Sequence, residues 1–414
     1  MPKFCASEAT YQAYIKQELS LQSLPFPDSK AITLSFELTQ KIAQKILEQG
    51  AMDFETFMQM ALYEPALGYY AAGQQKFGAA GDFVTAPEIS PLFAQTFAHQ
   101  FAQVFKQTDA NLLEFGAGSG IFAADCLLEL ERLGETINSY SILEVSAELQ
   151  ARQEATLKKL APHLLDKVQW LTSLPKNFSG VIFANEVVDA IPCQLFRKNR
   201  ASIERATVKV SDQGFQWQWQ PQDLASQSLG LDIDLIHSWP NDYQFEVRRQ
   251  GSAWLGAMLE SLQQGVAFIV DYGFSQAELY SATRAQGGLQ QYYRHHKTTN
   301  PLSLVGLQDI TSSVNFTQLA LAADLEQAQL LGYISQSMFL MGAGIEALAK
   351  NELAQQKMAT TDASDTMLTN KIGQQLRQLL MPNEMGESCK VLAIGQQFQG
   401  VLSGFSLDNQ LYKL

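Results

Sequence analysis

The sequence predicts an α/β fold built on an open, mainly parallel sheet. An apolar segment that ends in a glycine-rich turn, 112–120, is followed by a segment with helical character, 121–133. A second segment typical of a strand lies at 139–145, and the apolar segments 180–184 and 265–270 have the continuous hydrophobic character of strands buried on both faces. Strands that alternate with helices in this way indicate βα units and a parallel sheet.

Length and composition describe a large globular chain. Its 414 residues are 46% hydrophobic and 17% charged, which is enough for a large core and for more than one domain or for large insertions. No apolar run approaches the roughly 20 residues of a membrane span, so we expect no membrane partner. The first eight residues lack a secretory or transit pattern, and the predicted compartment is the cytoplasm.

The charge and the cysteine content argue against further classes of protein. The net charge is −13 and no cluster of Lys and Arg is visible, which argues against binding nucleic acid and is compatible with a cationic substrate. The four cysteines are scattered singly and give neither a disulfide framework nor a zinc motif. We therefore expect no metal, while the oligomeric state stays open.

The first 110 residues are predicted to be mainly helical, with helices over 35–50 and 54–62. The following segment, 63–91, carries many Gly and Pro residues and predicts a long loop. Such a loop is either a lid over a ligand, with Gly81 and Asp82 as candidate cofactor-binding residues, or a surface connection with aromatic anchors.

The glycine-rich turn is the first candidate binding site. Its pattern is E-x-G-x-G-x-G, with Glu114 ahead of Gly116, Gly118 and Gly120. Glycine permits positive φ and a close approach of a ligand to the backbone, and the helix that follows offers unpaired N–H groups. The spacing differs from the dinucleotide fingerprint G-x-G-x-x-G, because the last glycine of that fingerprint would fall at position 121, which is Ile. The alternative is an ordinary strand-to-helix turn.

Glu144 strengthens the nucleoside interpretation. It lies at the end of the segment 139–145, next to its last residue, about two dozen residues after the last glycine. In nucleoside-binding α/β folds an acidic residue about 20 residues after the glycines binds the ribose hydroxyls, and a carboxylate can accept from both at once. The alternative is that Glu144 only caps the next helix, which is predicted over 147–160.

Polar residues follow the next apolar strand. Asn185, Glu186 and Asp189 lie at the carboxyl end of the segment 180–184, where ligand crevices of open α/β sheets are located. Glu186 and Asp189 are candidates to hold or deprotonate a substrate nitrogen, and Asn185 could face a cofactor. Helix capping by Asn and Asp is the competing interpretation. Asp271 and Tyr272 end another predicted strand and are expected at the same crevice.

The rest of the chain interrupts the βα alternation. Segments 206–210 and 214–219 predict an antiparallel hairpin, and 284–309 is a locally basic insertion that either contacts substrate or is a solvated loop. A helix is predicted over 317–331, a strand over 332–340, mostly helical structure over 344–380 and a last strand over 390–398.

The resulting domain organisation is a helical N-terminal region with a lid loop (1–110), the first half of the core (111–193), a substrate-side insertion (194–264), the second half of the core (265–340), a helical insertion (341–389) and a final strand with a tail (390–414).

Five motifs taken together resemble the MidA family of class I S-adenosylmethionine (SAM) methyltransferases, whose mitochondrial relatives act in respiratory complex I assembly. They are Gly81-Asp82-Phe83-Val84-Thr85-Ala86-Pro87-Glu88-Ile89-Ser90, Glu114-Phe115-Gly116-Ala117-Gly118-Ser119-Gly120, Leu143-Glu144-Val145-Ser146, Asn185-Glu186-Val187-Val188-Asp189-Ala190-Ile191-Pro192 and Asp271-Tyr272-Gly273. The resemblance runs in this order from about residue 35 to residue 320.

The resemblance implies a Rossmann-like, seven-stranded, mainly parallel sheet with helices on both faces, a helical N-terminal region, and antiparallel and helical insertions. It implies SAM as cofactor, held by Glu114, Gly116, Ala117, Gly118, Gly120, Glu144, Val145, Asn185, Gly81 and Asp82. It also implies methylation of an arginine side chain in a partner protein, with a respiratory-complex subunit as a candidate. Glu186 would hold the substrate and Asp189 would assist. Two alternatives remain open, a non-catalytic SAM-binding assembly factor and a small-molecule methyltransferase.

Overall fold

The computed structural model describes residues 1–71, 85–200, 202–222, 229–359 and 362–414. Gly81 and Asp82 lie outside these ranges. The α/β class is confirmed, since strands and helices alternate through much of the chain.

The helices are, in chain order, α1 (Glu8–Leu21), α2 (Ser29–Gln49), α3 (Phe54–Tyr63), α4 (Ala86–Ile89), α5 (Pro91–Phe105), α6 (Ile121–Arg132), α7 (Ala147–Leu160), α8 (Ile233–Ser238), α9 (Arg249–Ser261), α10 (Gln276–Leu279), α11 (Phe316–Leu325), α12 (Gln336–Gly342), α13 (Ile345–Ala359), α14 (Asp362–Leu380) and α15 (Met385–Ser388). The sequence signals explain the long ones. In α2, for example, Leu38, Ile42 and Ile46 are buried at four-residue spacing, and Asp28 caps the first turn by accepting from the Ala31 N–H at 2.8 Å.

The strands are β1 (Met52–Asp53), β2 (Asn111–Phe115), β3 (Ser139–Leu143), β4 (Val168–Leu171), β5 (Phe178–Asn185), β6 (Gln194–Asn199), β7 (Ser202–Ser211), β8 (Gly214–Gln222), β9 (Gln244–Val247), β10 (Leu262–Phe274), β11 (Leu289–Tyr293), β12 (His296–Lys297), β13 (Asp309–Ser312), β14 (Val314–Asn315), β15 (Gln329–Ser335) and β16 (Cys389–Gln396).

The chain forms two compact units. The first comprises the described residues within Met1–Phe83, Asp189–Gly251 and Ala277–Ser313, and the second those within Val84–Val188, Ser252–Gln276 and Val314–Leu414. Each has its own hydrophobic core. They are called the first and the second unit below.

A mixed sheet organises the second unit. Its strand order is β15-β16-β10-β5-β2-β3-β4, with the short β14 paired to β10. Strands β2, β3, β4, β5 and β10 pair in parallel, whereas β16 runs antiparallel to both β10 and β15. Val181, Ile182 and Phe183 of β5 are fully buried, as expected for a strand covered on both faces.

The strand order reverses at β2. From β2 the chain continues to β3 and β4 on one side, and then returns to β5 and β10 on the other. In open α/β sheets the crevice at the carboxyl ends of the strands flanking such a reversal is the usual ligand site. A ligand is therefore expected at the carboxyl ends of β2 and β5.

Antiparallel sheets shape the first unit. Strands β7 and β8 form the predicted hairpin, with Ser211 and Gly214 paired next to the turn, and β6, β9 and β1 complete that sheet. A separate three-stranded sheet has the order β12-β11-β13. The aromatic residues of the hairpin pack against the helical N-terminal segment, since the rings of Trp217 and Phe54 lie 5.0 Å apart.

The segment after residue 316 differs from its prediction. The helix predicted over 317–331 ends at Leu325, and the strand predicted over 332–340 is β15 followed by α12. Gln327 has φ +56°, a conformation that turns the chain out of the helix. Position 332 in β15 requires glycine, because a Cβ there would lie 2.1 Å from Cδ1 of Phe405. Such tertiary contacts override the local helical preference.

Candidate cofactor and catalytic site

The glycine-rich turn connects β2 to α6 in the second unit. Gly116, Gly118 and Gly120 have φ values of +64°, +52° and +80°, which side-chain-bearing residues rarely adopt. Gly120 is the N-cap of α6 and has no side chain that could accept from the first N–H groups of the helix. The turn therefore offers an accessible backbone and a positive helix end.

Close neighbours also limit the size of these residues. A Cβ on Gly116 would lie 2.9 Å from Cγ2 of Val187, and one on Gly120 would lie 2.9 Å from Cα of Gln153. Ala117, between them, is buried. Gly116 and Gly120 are thus required by conformation and by space.

Gln153, on α7, connects the turn to the end of β3. Its amide nitrogen donates to the Gly118 carbonyl at 3.3 Å and to Oε2 of Glu144 at 3.2 Å, and its amide oxygen accepts from Nε1 of Trp170 at 2.9 Å. Gln153 is fully buried. Its side chain fixes the carboxylate of Glu144 relative to the glycine-rich turn.

Strand β3 ends at Leu143, and Glu144 and Val145 follow it directly. Oε1 of Glu144 accepts from the Ser146 N–H at 2.9 Å. Burial raises the pKa of Glu144, and the hydrogen bonds from Ser146 and Gln153 lower it. Ser146, not Glu144, caps α7, because its hydroxyl accepts from the Leu149 N–H. Val145 is 81% exposed.

Glu114 lies inside β2 and is buried. The Tyr140 hydroxyl donates to Oε2 of Glu114 at 2.7 Å. Burial raises the pKa of Glu114 to about 8, against the Tyr140 hydrogen bond, which lowers it. Within the described residues, the carboxylate of Glu114 thus has a hydrogen bond from Tyr140, on the neighbouring strand β3.

One further contact reaches the turn from α4. Ser119 hydrogen-bonds through its hydroxyl to Oε1 of Glu88. Glu88 belongs to the motif that begins at Gly81, of which the structure describes residues 85–90.

Asn185 is the last residue of β5, which lies beside β2 in the sheet, and Glu186 follows it. Nδ2 of Asn185 donates to Oε1 of Glu186 at 3.1 Å. Oδ1 of Asn185 is a buried acceptor for which the described part of the chain supplies no hydrogen-bond partner. Glu186 has φ +52°, and its N–H donates to the Val270 carbonyl at 2.8 Å. A buried acceptor that lacks a partner is costly, and a ligand donor would satisfy it.

Asp271 was predicted to face the crevice at a strand end, and the structure places it elsewhere. It is fully buried and not exposed at the strand end, because β10 continues to Phe274. Its Oδ2 accepts from the Val188 N–H and its Oδ1 from the Tyr272 N–H, both at 2.8 Å. Asp271 therefore stabilises the backbone that follows Glu186.

Asp189 lies in the first unit, next to a buried arginine that the sequence analysis missed. Nη2 of Arg248 donates to the Asp189 carbonyl at 3.0 Å, and Nε donates to the Ile191 carbonyl at 2.9 Å. Nη2 of Arg248 also donates to the Ser312 carbonyl and hydroxyl. Burial raises the pKa of Asp189 to about 6, and the charge of Arg248 lowers it. Arg248 thus fixes the backbone of this segment.

The described part of the chain has neither a cluster of metal-ligating residues nor a helix suited to crossing a membrane. No group of three or more His, Cys, Asp or Glu residues there could hold a metal ion. None of the helices in these ranges is long and apolar enough to cross a bilayer.

Comparison with known proteins places this geometry in a family. Residues 93–334 match the family described as "Putative S-adenosyl-L-methionine-dependent methyltransferase". A Burkholderia thailandensis protein crystallised with S-adenosyl-homocysteine is 36% identical, with a TM-score of 0.87 over 94% of this chain and 100% of that one. A native crystal structure of a protein from the same organism gives 35% identity and a TM-score of 0.85.

Curated relatives are more distant in sequence. "Protein arginine methyltransferase NDUFAF7, mitochondrial" of zebrafish is 25% identical over 395 residues, which are 87% of each chain. The human protein of that name is 25% identical over 403 residues, with 88% of this chain and 85% of the human protein covered. These names contradict the prediction of a cytoplasmic protein, because the relatives are named mitochondrial. The N-terminal residues on which that prediction rested were an insufficient basis for a compartment.

Proposed function

The chain belongs to the MidA family of S-adenosyl-L-methionine-dependent methyltransferases, and from this premise we propose that it methylates an arginine side chain of a partner protein. The curated relatives in zebrafish and human, named protein arginine methyltransferases, support this acceptor. The acidic composition of the chain, with a net charge of −13, suits a cationic acceptor. A respiratory-complex subunit, which the family resemblance implies, is the partner we propose.

The observation that carries the proposal is the hydrogen-bonded connection between the glycine-rich turn and Glu144 through Gln153. It puts a carboxylate suited to a ribose diol next to a backbone suited to close approach. The buried acceptor Oδ1 of Asn185 adds a position for a donor of the cofactor. These residues fit SAM. We propose that the cofactor is held by Glu114, Gly116, Ala117, Gly118, Gly120, Glu144, Val145 and Asn185; the assignment of Gly81 and Asp82 stays a prediction.

We interpret the seven-strand path from β15 to β4 as the sheet of a class I methyltransferase. The reversal of strand order at β2 and the antiparallel β16 support this interpretation. The domain organisation predicted from the sequence is likewise a proposal, in which 194–264 serves the substrate and 341–389 is a helical insertion.

Bound SAM supplies an electrophilic methyl group on a sulfonium. The chain must orient the acceptor nitrogen and relieve the charge of the guanidinium, which is protonated at neutral pH. We propose that the carboxylate of Glu186 binds the guanidinium, because a carboxylate can accept two parallel N–H bonds from it. The Asn185 amide, which donates to Oε1 of Glu186, orients that carboxylate.

We propose that Asp189 assists by accepting the proton that the guanidinium releases. Arg248 opposes the effect of burial and favours the ionised form of Asp189, and an ionised carboxylate is the form that can take up a proton. The backbone of Asp189 is held by Arg248, so that its position is defined.

The direct test is methyl transfer from isotopically labelled SAM to proteins of an extract, followed by mass spectrometry of the labelled products. The proposal predicts labelled methylarginine in protein. Label in small metabolites only would indicate a small-molecule methyltransferase. SAM binding without label in any product would indicate a non-catalytic assembly factor.

A further inference from the structure

Helix α4 has hydrogen bonds both to the glycine-rich turn and to α14. We infer that Glu88 of α4 is a positioning residue of the cofactor site, which holds Ser119 in the turn, and that Gln375 of α14 holds α4 in place for this purpose. All three residues lie in the second unit. The inference rests on the proposed binding of SAM at this turn and adds residues that act through the turn.

The turn itself contains little that can fix its backbone. Gly116, Gly118 and Gly120 lack side chains, and a glycine loses more conformational freedom than any other residue when it is ordered. Of the two residues between them, Ala117 has no polar side-chain atom, whereas Ser119 has a hydroxyl. The Ser119 hydroxyl is therefore the one side-chain group of the segment 116–120 through which a hydrogen bond can restrain the turn.

A hydrogen bond connects this hydroxyl to α4. Ser119 donates to Oε1 of Glu88, and both residues are half-buried. Carboxylates are strong hydrogen-bond acceptors. Gln153 restrains the turn from α7, through the Gly118 carbonyl. Glu88 thus provides a second restraint, from a different helix, on the residue that follows Gly118.

Glu88 needs to be held in turn, because a helix of four residues such as α4 is not stable by itself. Nε2 of Gln375 donates to the Ile89 carbonyl at 2.8 Å, and Oε1 of Gln375 accepts from the Ser90 hydroxyl at 3.3 Å. One amide therefore binds the last residue of α4 and the residue after it. At the start of the helix Ala86 is fully buried, so that both ends of α4 are fixed.

The charge of Glu88 has a different effect from its hydrogen bond. Burial raises the pKa of Asp125, on α6, to about 7, and the charges of Glu352 and Glu88 raise it further. Ionised carboxylates in this group repel one another, so loss of the charge of Glu88 relieves repulsion. Glutamine at position 88 therefore separates the two effects, since its amide oxygen can still accept from the Ser119 hydroxyl.

These contacts order the turn before the cofactor arrives. A segment that is already ordered does not lose its conformational freedom on binding, and it binds its ligand more tightly for that reason. Without the Ser119 hydrogen bond, or without the Gln375 amide, the turn of the ligand-free protein should open more often and SAM should bind more weakly.

The first experiment measures the SAM affinity of the full-length protein by isothermal titration calorimetry. Ser119→Ala and Glu88→Ala should each weaken binding about fivefold, as expected for the loss of one hydrogen bond. The double variant should bind within about twofold of either single variant, because both substitutions remove the same interaction. Glu88→Gln should stay within about twofold of the wild type, since it keeps an acceptor for Ser119.

The second experiment measures amide hydrogen exchange in the ligand-free protein by mass spectrometry. Gln375→Ala and Glu88→Ala should exchange faster than the wild type in the segment 112–120 but not in 265–270, a part of β10 in the core of the same unit. A general loss of stability would instead raise exchange in both segments. Gln374→Ala, an exposed change on α14, is the matched control and should behave as the wild type does.

Several results would overturn the inference. They are wild-type SAM affinity in folded Ser119→Ala or Glu88→Ala, and additive effects in the double variant. Glu88→Gln that binds as weakly as Glu88→Ala would also overturn it, because Glu88 would then act through its charge. Unchanged exchange in Gln375→Ala would refute the role of α14. If Glu88→Ala does not fold, exchange of the segment 112–120 in Ser119→Ala decides, since faster exchange supports the inference and an unchanged rate overturns it.

Failure of the proposed cofactor site would look different. The wild type would then bind no SAM, or folded Glu144→Ala would keep its affinity. SAM binding that is lost in Glu144→Ala but unchanged in both Ser119→Ala and Glu88→Ala would refute this inference alone.

Discussion

Glu186 has a backbone conformation that costs free energy. Its φ of +52° lies in the left-handed region, where a side-chain-bearing residue is disfavoured by about 1–2 kcal/mol. Two hydrogen bonds maintain this conformation. The Glu186 N–H donates to the Val270 carbonyl, and the Val188 N–H donates to the Asp271 carboxylate. Strain that surrounding structure maintains in this way often marks a functional position.

We predict that Glu186→Gln abolishes methyl transfer and leaves SAM affinity nearly unchanged. Glutamine keeps the size of the side chain but loses the charge that holds a guanidinium. Labelled-methyl transfer and calorimetry measure the two quantities. Glu148→Gln, an exposed change in the second unit, should retain both, and full transfer activity in Glu186→Gln would refute the role.

Helix α7 is the element that connects the cofactor residues. We predict that Gln153→Ala weakens SAM binding about tenfold or more and lowers the melting temperature. The substitution removes the bond that positions Glu144 and leaves the Trp170 N–H without its acceptor, which costs about 1–3 kcal/mol for a buried group. Calorimetry and thermal denaturation test this. Lys159→Ala, exposed on the same helix, is the control; wild-type affinity in Gln153→Ala would contradict the prediction.

The elements also show how far the sequence could predict this molecule. Strand β5 and the hairpin of β7 and β8 were predicted because continuous or alternating apolar patterns are local signals. Gln153 and Arg248 were missed, since each acts through partners that are distant in the chain and neither belongs to a motif. Asp271 was predicted from its position at a strand end, but its complete burial depends on packing that no local pattern reveals.

The molecule as a whole should lose stability as pH rises. Burial raises the pKa of Glu114 to about 8, of Asp125 to about 7 and of Asp189 to about 6. Between about pH 5 and 8 the folded chain therefore keeps protons that the unfolded chain has released, so its free energy of unfolding falls as pH rises. The growing negative charge acts in the same direction.

We predict a melting temperature that is several degrees lower at pH 8 than at pH 6. Glu114→Gln should show a smaller difference, because it removes one of the titrating groups and keeps a hydrogen-bonding partner for Tyr140. Calorimetric scans at both pH values measure the effect. A melting temperature that rises with pH, or an equal difference in Glu114→Gln, would contradict this assignment.

The central claim is that the second unit binds SAM through the glycine-rich turn and Glu144. Isothermal titration calorimetry with SAM, on the wild type and on Glu144→Ala, tests it most directly. The wild type should bind SAM with micromolar affinity and the variant should not bind it, while circular dichroism shows that the variant keeps the fold. Absence of binding in the wild type, or equal affinity in folded Glu144→Ala, would contradict the account.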